Sequence, residues 1–204
     1  MKHLKMLGLA FAAAAALMAL AGTGTASAGG VLCKEQNPVC ANKYAINTVF
    51  DFSLKAGTSS RFKLTDGTQI KACGTSTWKS ELTANPDASA EATTKNTELI
   101  FEKGCETTTT KLGKLRFQNI SGNWNGTVFA DETIEITTII LTTCTYKIPA
   151  GHDIGEIKEG KPATLVINTV ITTEPPDFCP PTLVWTAEYT LTQPANETLA
   201  VSPK

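Results

Sequence analysis

The segment Leu183-Val184-Trp185-Thr186-Ala187-Glu188-Tyr189-Thr190-Leu191 alternates without a break. Leu183, Trp185, Ala187, Tyr189 and Leu191 share one face, and Val184, Thr186, Glu188 and Thr190 the other. Successive strand side chains point to opposite sides, so this period of two specifies a strand with one face buried and one wet. Trp185 and Tyr189 belong to the buried face and are core candidates.

The same pattern recurs on the N-terminal side. Tyr44, Ile46, Phe50, Phe52 and Leu54 line one face of a first strand. Phe62 and Leu64 precede Asp66-Gly67, a tight hairpin signal, and Ile70 and Ala72 lead into Cys73. Trp78 and Leu82 mark the next strand, and residues 84–96 read as a polar loop around Asn85-Pro86-Asp87. Leu99 and Phe101, Leu115 and Phe117, and Val128 with Phe129 mark three more. Ile134, Ile136, Ile140, Cys144, Tyr146 and Ile148 alternate along one longer strand. A glycine-rich loop is expected from Ala150 to Pro162, followed by Leu165, Ile167 and Ile171. Threonine is abundant and favours strands, and no helical period competes after residue 28. The expectation is an all-β fold, a single antiparallel β-sandwich of eight to ten strands, with a closed or flattened β-barrel as the alternative. Either architecture buries one face of every strand.

The first 28 residues have a different character. Met1-Lys2-His3-Leu4-Lys5 is a basic head, Met6 to Ala21 is apolar, and Ala26-Ser27-Ala28 is an A-x-A cleavage site. This is the pattern of a signal peptide, a leader helix removed in the mature protein. The reading divides the chain into a leader, 1–28, and a secreted β-domain, 29–204. Leu32 before Cys33 does not suit a lipoprotein. No second apolar segment suggests a membrane span after cleavage. Charged residues make up 18% of the chain and the net charge is −1; cleavage removes two more positive charges, Lys2 and Lys5. So weak a charge argues against nucleic acid as a partner.

All six cysteines follow the leader: Cys33, Cys40, Cys73, Cys105, Cys144 and Cys179. An even number in a secreted chain reads as a disulfide framework of open connectivity. The preferred set is sequential, because Cys73/Cys105 and Cys144/Cys179 span similar distances of 32 and 35 positions. A metal site or reactive thiol is the competing reading. The chain has no C-x-x-C, and His152 is its only histidine outside the leader, so neither a metal nor a cofactor is expected.

Cys144-Thr145-Tyr146, Thr164-Leu165-Val166-Ile167-Asn168, Phe178-Cys179-Pro180 and Trp185 to Thr192, in that order, resemble a family of secreted, threonine- and cysteine-rich β-proteins of unknown function from high-GC Gram-positive bacteria. Leu99 to Cys105 and the Trp124 region fit the same pattern, and the resemblance covers about residues 68–192. It implies secretion and the sequential pairing; it implies no activity, ligand or catalytic residue.

Catalysis by serine or cysteine needs a base within hydrogen-bond reach. His152 lies in Gly151-His152-Asp153 and reads as a solvated loop residue. Glycoside hydrolysis needs two facing carboxylates, for which Glu98, Glu102, Asp131, Glu132 and Glu135 are the supply; no spacing pairs them. No catalytic residue is assigned. The expected role is non-catalytic, binding or structural, toward an extracellular or cell-wall ligand. Trp124 in Gly122-Asn123-Trp124-Asn125-Gly126 is the candidate ligand plate, with Asn123 and Asn125 beside it, because a sugar ring suits an aromatic face edged by amides. The bland reading is an aromatic plug that folds back over the end of the sandwich. Two alternatives stand beside binding: a protease inhibitor using loop 174–181, rich in proline and anchored by Cys179, and a glycan-active hydrolase.

Overall fold

The computed structural model describes residues 29–37, 39–86, 90–120, 122–140, 142–173 and 178–202. The leader, 1–28, and residues 174–177 of the proposed inhibitor loop lie outside the described residues. Among the described residues there are fifteen strands and no helix. They are β1 (Val31–Cys33), β2 (Val49–Leu54), β3 (Ser60–Lys63), β4 (Gln69–Cys73), β5 (Thr75–Ala84), β6 (Ala92–Glu102), β7 (Thr107–Lys111) and β8 (Lys114–Gln118). Then come β9 (Gly126–Ala130), β10 (Ile134–Ile139), β11 (Thr143–Ile148), β12 (Asp153–Lys158), β13 (Thr164–Thr172), β14 (Thr182–Gln193) and β15 (Ala200–Ser202).

Eight of them close a ring, in the order β14-β2-β5-β6-β8-β9-β12-β13 and back to β14, every neighbour antiparallel. The fold is all-β, and of the two architectures expected it is the closed barrel rather than two facing sheets. The alternation of Leu183 to Leu191 does not separate these, since both hide one face. The decision lies in the pairing of β14. One edge of this strand pairs with β13 from Thr182 to Thr190, and the other pairs first with β3 and then with β2. Closure leaves the eight-stranded ring no open edge.

Five of the remaining seven strands extend the wall at one end. The β3–β4 hairpin continues along β14 beyond β2. Strands β11, β10 and β7 continue along β13 beyond β12. In the sheet order β4 and β7 are the two ends. The Cys73–Cys105 disulfide and the Lys71–Glu106 ion pair at 3.2 Å tie those ends together. Cys144–Cys179 lies at the same end, linking β11 to the β13–β14 connection. At the other end β1 and β15 pair as a two-stranded lid, to which Cys33–Cys40 ties the following loop. The described cysteines are thus all paired, in the sequential set. Three disulfides suit an oxidising compartment.

Several boundaries differ from the sequence expectation. The stretch assigned to a glycine-rich loop contains β12, whose inward residues are Ile154 and Ile157. A bulge between Asp153 and Gly155 breaks its alternation. Gly155 permits that bulge: its φ is +144°, and a Cβ there would lie 2.0 Å from the Val166 carbonyl oxygen. The loop expected over 84–96 is shorter, because β6 begins at Ala92 with small and polar inward residues, Ala92, Thr94 and Asn96. The long strand expected from Ile134 to Ile148 is the β10–β11 hairpin. Ile46 is exposed in the turn before β2, whereas Tyr44 is buried under the lid.

The barrel interior is filled with aromatic rings. Trp185 stacks on Trp78 at 5.8 Å and on Phe62 at 6.0 Å between centroids, and meets Phe101 edge-on at 5.7 Å. Their polar atoms are satisfied inside. Trp185 Nε1 donates to Ser60 Oγ at 2.8 Å, Trp78 Nε1 to Asn96 Oδ1 at 2.9 Å, and Asn96 Nδ2 to the Leu112 carbonyl at 2.7 Å. Such filling suits eight strands, whose lumen is about wide enough for side chains.

All three tyrosines, Tyr44, Tyr146 and Tyr189, are buried. Burial pushes the Tyr146 phenol up to about 12, and raises Tyr44 and Tyr189 as well. The native state therefore holds these protons where tyrosines of the unfolded chain, near pH 10, have begun to lose theirs. By linkage, stability is retained below about pH 10 and lost as pH rises toward the folded values. In an alkaline titration tyrosinate absorbance should rise together with loss of the β-sheet circular dichroism signal. Tyrosinate appearing near pH 10 in a fully folded protein would contradict the burial argument.

Candidate functional site

The Trp124 turn is built by β8, β9 and the lid. Asn119, buried at the end of β8, donates through Nδ2 to the carbonyls of Asn123 and Val201 and accepts from the Gly122 amide. The Val201 amide donates to the Trp124 carbonyl at 2.8 Å. Asn123 Oδ1 accepts from the Asn125 amide at 2.9 Å, and Asn125 Oδ1 accepts from the Glu159 amide at 2.9 Å. Trp124 itself is partly buried, Asn123 exposed and Asn125 partly buried. The three expected residues are thus adjacent, but both amide oxygens are engaged in holding the turn. Asn119, which organises that turn, is not among the residues the sequence assigns to the site; it stands three positions before Gly122, where the sequence shows it only as the first residue of the sequon Asn119-Ile120-Ser121.

A second surface lies on the outer wall. Two adjoining grooves of about 380 and 400 Å³ share Val166 and Asn168 on β13. The first runs over Thr186 and Glu188 of β14 to Arg61 of β3, and the second over Thr127 of β9 and Asp153 and Glu156 of β12. Strand register makes the first a single row: Asn168 opposes Thr186, which opposes Arg61. Within it Arg61 Nε donates to Ser59 Oγ at 2.7 Å, and Glu188 pairs with Lys55. Val166 gives apolar surface among amide, hydroxyl and charged groups of both signs. Val166, Asn168, Thr186, Glu188 and Arg61 occupy outward positions in the strand pattern, but Arg61 and Thr186 are 125 residues apart, as are their neighbours Ser60 and Trp185. Only the register brings them together.

The five carboxylates considered for hydrolysis lie among basic and hydroxyl groups of neighbouring strands. Glu98 pairs with Lys79 at 2.9 Å, Glu132 with Lys114 at 2.5 Å and Asp131 with Arg116 at 3.7 Å. Thr75 Oγ1 donates to Glu102 Oε2 at 3.5 Å, and Glu135 lies in register between Lys111 and Lys147. These are cross-strand pairs of a wet sheet face. His152 is partly buried in the β11–β12 connection, where its carbonyl accepts from the Ala130 amide at 2.9 Å. Among the described residues no three His, Cys, Asp or Glu gather as metal ligands, and no helix is long and apolar enough to cross a membrane. Of loop 174–181, Phe178 is 79% exposed beside the buried, bridged Cys179.

Comparison with known proteins gives no matching family model, no matching curated protein and no matching solved structure.

Proposed function

We propose that this protein is a released extracellular domain with a non-catalytic role, binding a polar, glycan-like ligand at or outside the cell envelope. The observation that carries the reading is the outer-wall groove around Asn168 and Thr186, an apolar floor edged by amide and hydroxyl groups. That composition suits a ligand with both hydroxyls and hydrophobic ring faces. The packed lumen directs recognition to the outside of the barrel. The leader, the disulfides and the resemblance to secreted proteins of high-GC Gram-positive bacteria belong to the same proposal.

The test is retention of the 29–204 chain on insoluble polysaccharides and cell-wall fractions. Wild type should be retained. Asn168→Ala with Thr186→Val should lose retention with little change in thermal midpoint, because both side chains face outward. Trp124→Ala examines the other surface. As a plug, it should lower stability by about 1–3 kcal/mol, below the cost of a fully buried aromatic, and leave retention intact. Retention lost on Trp124→Ala alone, at unchanged stability, would move the site to that turn. Absence of retention on every fraction would reject glycan binding.

Phe178 favours one second reading, the protease inhibitor. An exposed aromatic next to a disulfide suits insertion into a protease pocket, since anchoring reduces the entropy lost on binding. Inhibition of an aromatic-specific serine protease, abolished by Phe178→Ala, would replace the glycan reading.

A further inference from the structure

Charge is distributed unevenly along the two adjoining grooves of the outer wall. At one end Arg61 of β3 closes the row Asn168–Thr186–Arg61. At the other end β12 presents Asp153 and Glu156. Between them lie the uncharged Thr186, Asn168 and Val166, and Glu188 beside that row is paired with Lys55. Among the described residues Arg61 pairs with no carboxylate, and Asp153 and Glu156 pair with no lysine or arginine. Strands β3 and β12 are three strand spacings apart, roughly 14 Å. One track therefore carries an unpaired cation at one end and unpaired carboxylates at the other.

Arg61 is also oriented. Its Nε donates to Ser59 Oγ at 2.7 Å, in the turn before β3. That bond restrains the guanidinium plane, and among the described residues the two terminal nitrogens have no acceptor. Such a fork matches the two oxygens of a carboxylate through parallel hydrogen bonds. We propose that the groove takes an acidic glycan, with a sugar carboxylate docked on Arg61 and the rest of the chain running across Thr186 and Asn168 toward β12. Asp153 and Glu156 repel a second acid at that end. A chain with an acid on every ring is thereby disfavoured, whereas one with acids on alternate rings places a neutral ring there. The inference rests on the glycan reading above and names the class of sugar that the groove selects.

The experiment measures affinity for the oxidised 29–204 chain by titration calorimetry. Its probes are a hexasaccharide of alternating glucuronate and N-acetylglucosamine, the same chain with its carboxylates reduced to alcohols, and a hexamer of galacturonate. The alternating acid should bind about fivefold tighter than its reduced form, the upper range of an exposed ion pair. Arg61→Gln should make the two equal, and Arg61→Lys, a point charge without the fork, should keep only part of the preference. Wild type should bind the galacturonate hexamer more weakly than the alternating acid. Asp153→Asn with Glu156→Gln should narrow that gap, and the asparagine keeps an oxygen to accept from the Gly155 amide. All variants should keep the wild-type thermal midpoint, since these side chains lie on the wet face. Equal affinity for the acidic and reduced forms, or an acid preference that survives Arg61→Gln, would overturn the inference and leave glycan binding standing. If no probe bound while the chain was retained on neutral polysaccharide, the inference alone would fail. Absence of binding in both assays would reject the glycan reading on which it rests.

Discussion

Trp185→Ala is expected to destabilise the protein by roughly 3–5 kcal/mol, the usual cost of removing a large buried aromatic. The side chain is fully buried and touches Trp78, Phe62 and Phe101, so its loss opens the centre of the aromatic stack. The substitution also removes the indole donor from Ser60 Oγ, a hydroxyl buried with it. Ser60 also meets the Tyr189 hydroxyl, so the indole's loss removes one hydrogen bond, about 0.5–1.5 kcal/mol, that need not add to the cavity cost. Trp185→Phe keeps most of the ring area and should recover much of the loss while still leaving Ser60 without the indole. Urea denaturation followed by circular dichroism measures both. A loss below about 1 kcal/mol for the alanine variant would mean that neighbouring rings collapse into the space, contrary to a rigid packed lumen.

That core was legible in the sequence because burial and period coincide. Trp185 and Trp78 fall on apolar faces of strands, and both are fully buried. The choice between sandwich and barrel was not legible, since it depends on which distant strands share an edge. Nothing near β14 reports that its second edge is shared between β3 and β2. Strand β12 escaped for a local reason: a bulge at Gly155 shifts Ile154 and Ile157 out of phase, and the pattern then resembles a loop. The start of β6 escaped because its inward residues are Thr94 and Asn96, polar groups that the fold pairs or buries. The candidate site follows the same logic. Trp124 stands out in the sequence by its Asn/Gly neighbours, but hydrogen bonds to Glu159 and Val201, far away along the chain, determine how that turn is held. The wall groove consists of ordinary outward residues whose only distinction is adjacency.

The disulfides should dominate stability, and unequally. In the chain-entropy account a crosslink stabilises by restricting the unfolded chain, more so for a longer loop. For separations of 32 and 35 residues this gives about 4 kcal/mol each for Cys73–Cys105 and Cys144–Cys179, and about 2.5 kcal/mol for the 7-residue Cys33–Cys40 loop. Replacing Cys73 and Cys105 by alanine should therefore cost more than replacing Cys33 and Cys40. Structure points the same way, because Cys73–Cys105 ties together the two ends of the thirteen-strand order, whereas Cys33–Cys40 secures a loop beside an already paired lid. Removing all three should cost on the order of 10 kcal/mol, comparable with the whole stability of a typical domain, about 5–15 kcal/mol. The fully reduced chain is thus expected to be unfolded under conditions where the oxidised chain is native, as measured by circular dichroism in the presence and absence of reductant. If the two paired replacements cost the same, native contacts around the lid rather than loop entropy set the value of the short bridge. If the reduced chain kept its fold and thermal midpoint, the barrel would stand on packing alone, and the disulfides would no longer tie its stability to an oxidising compartment.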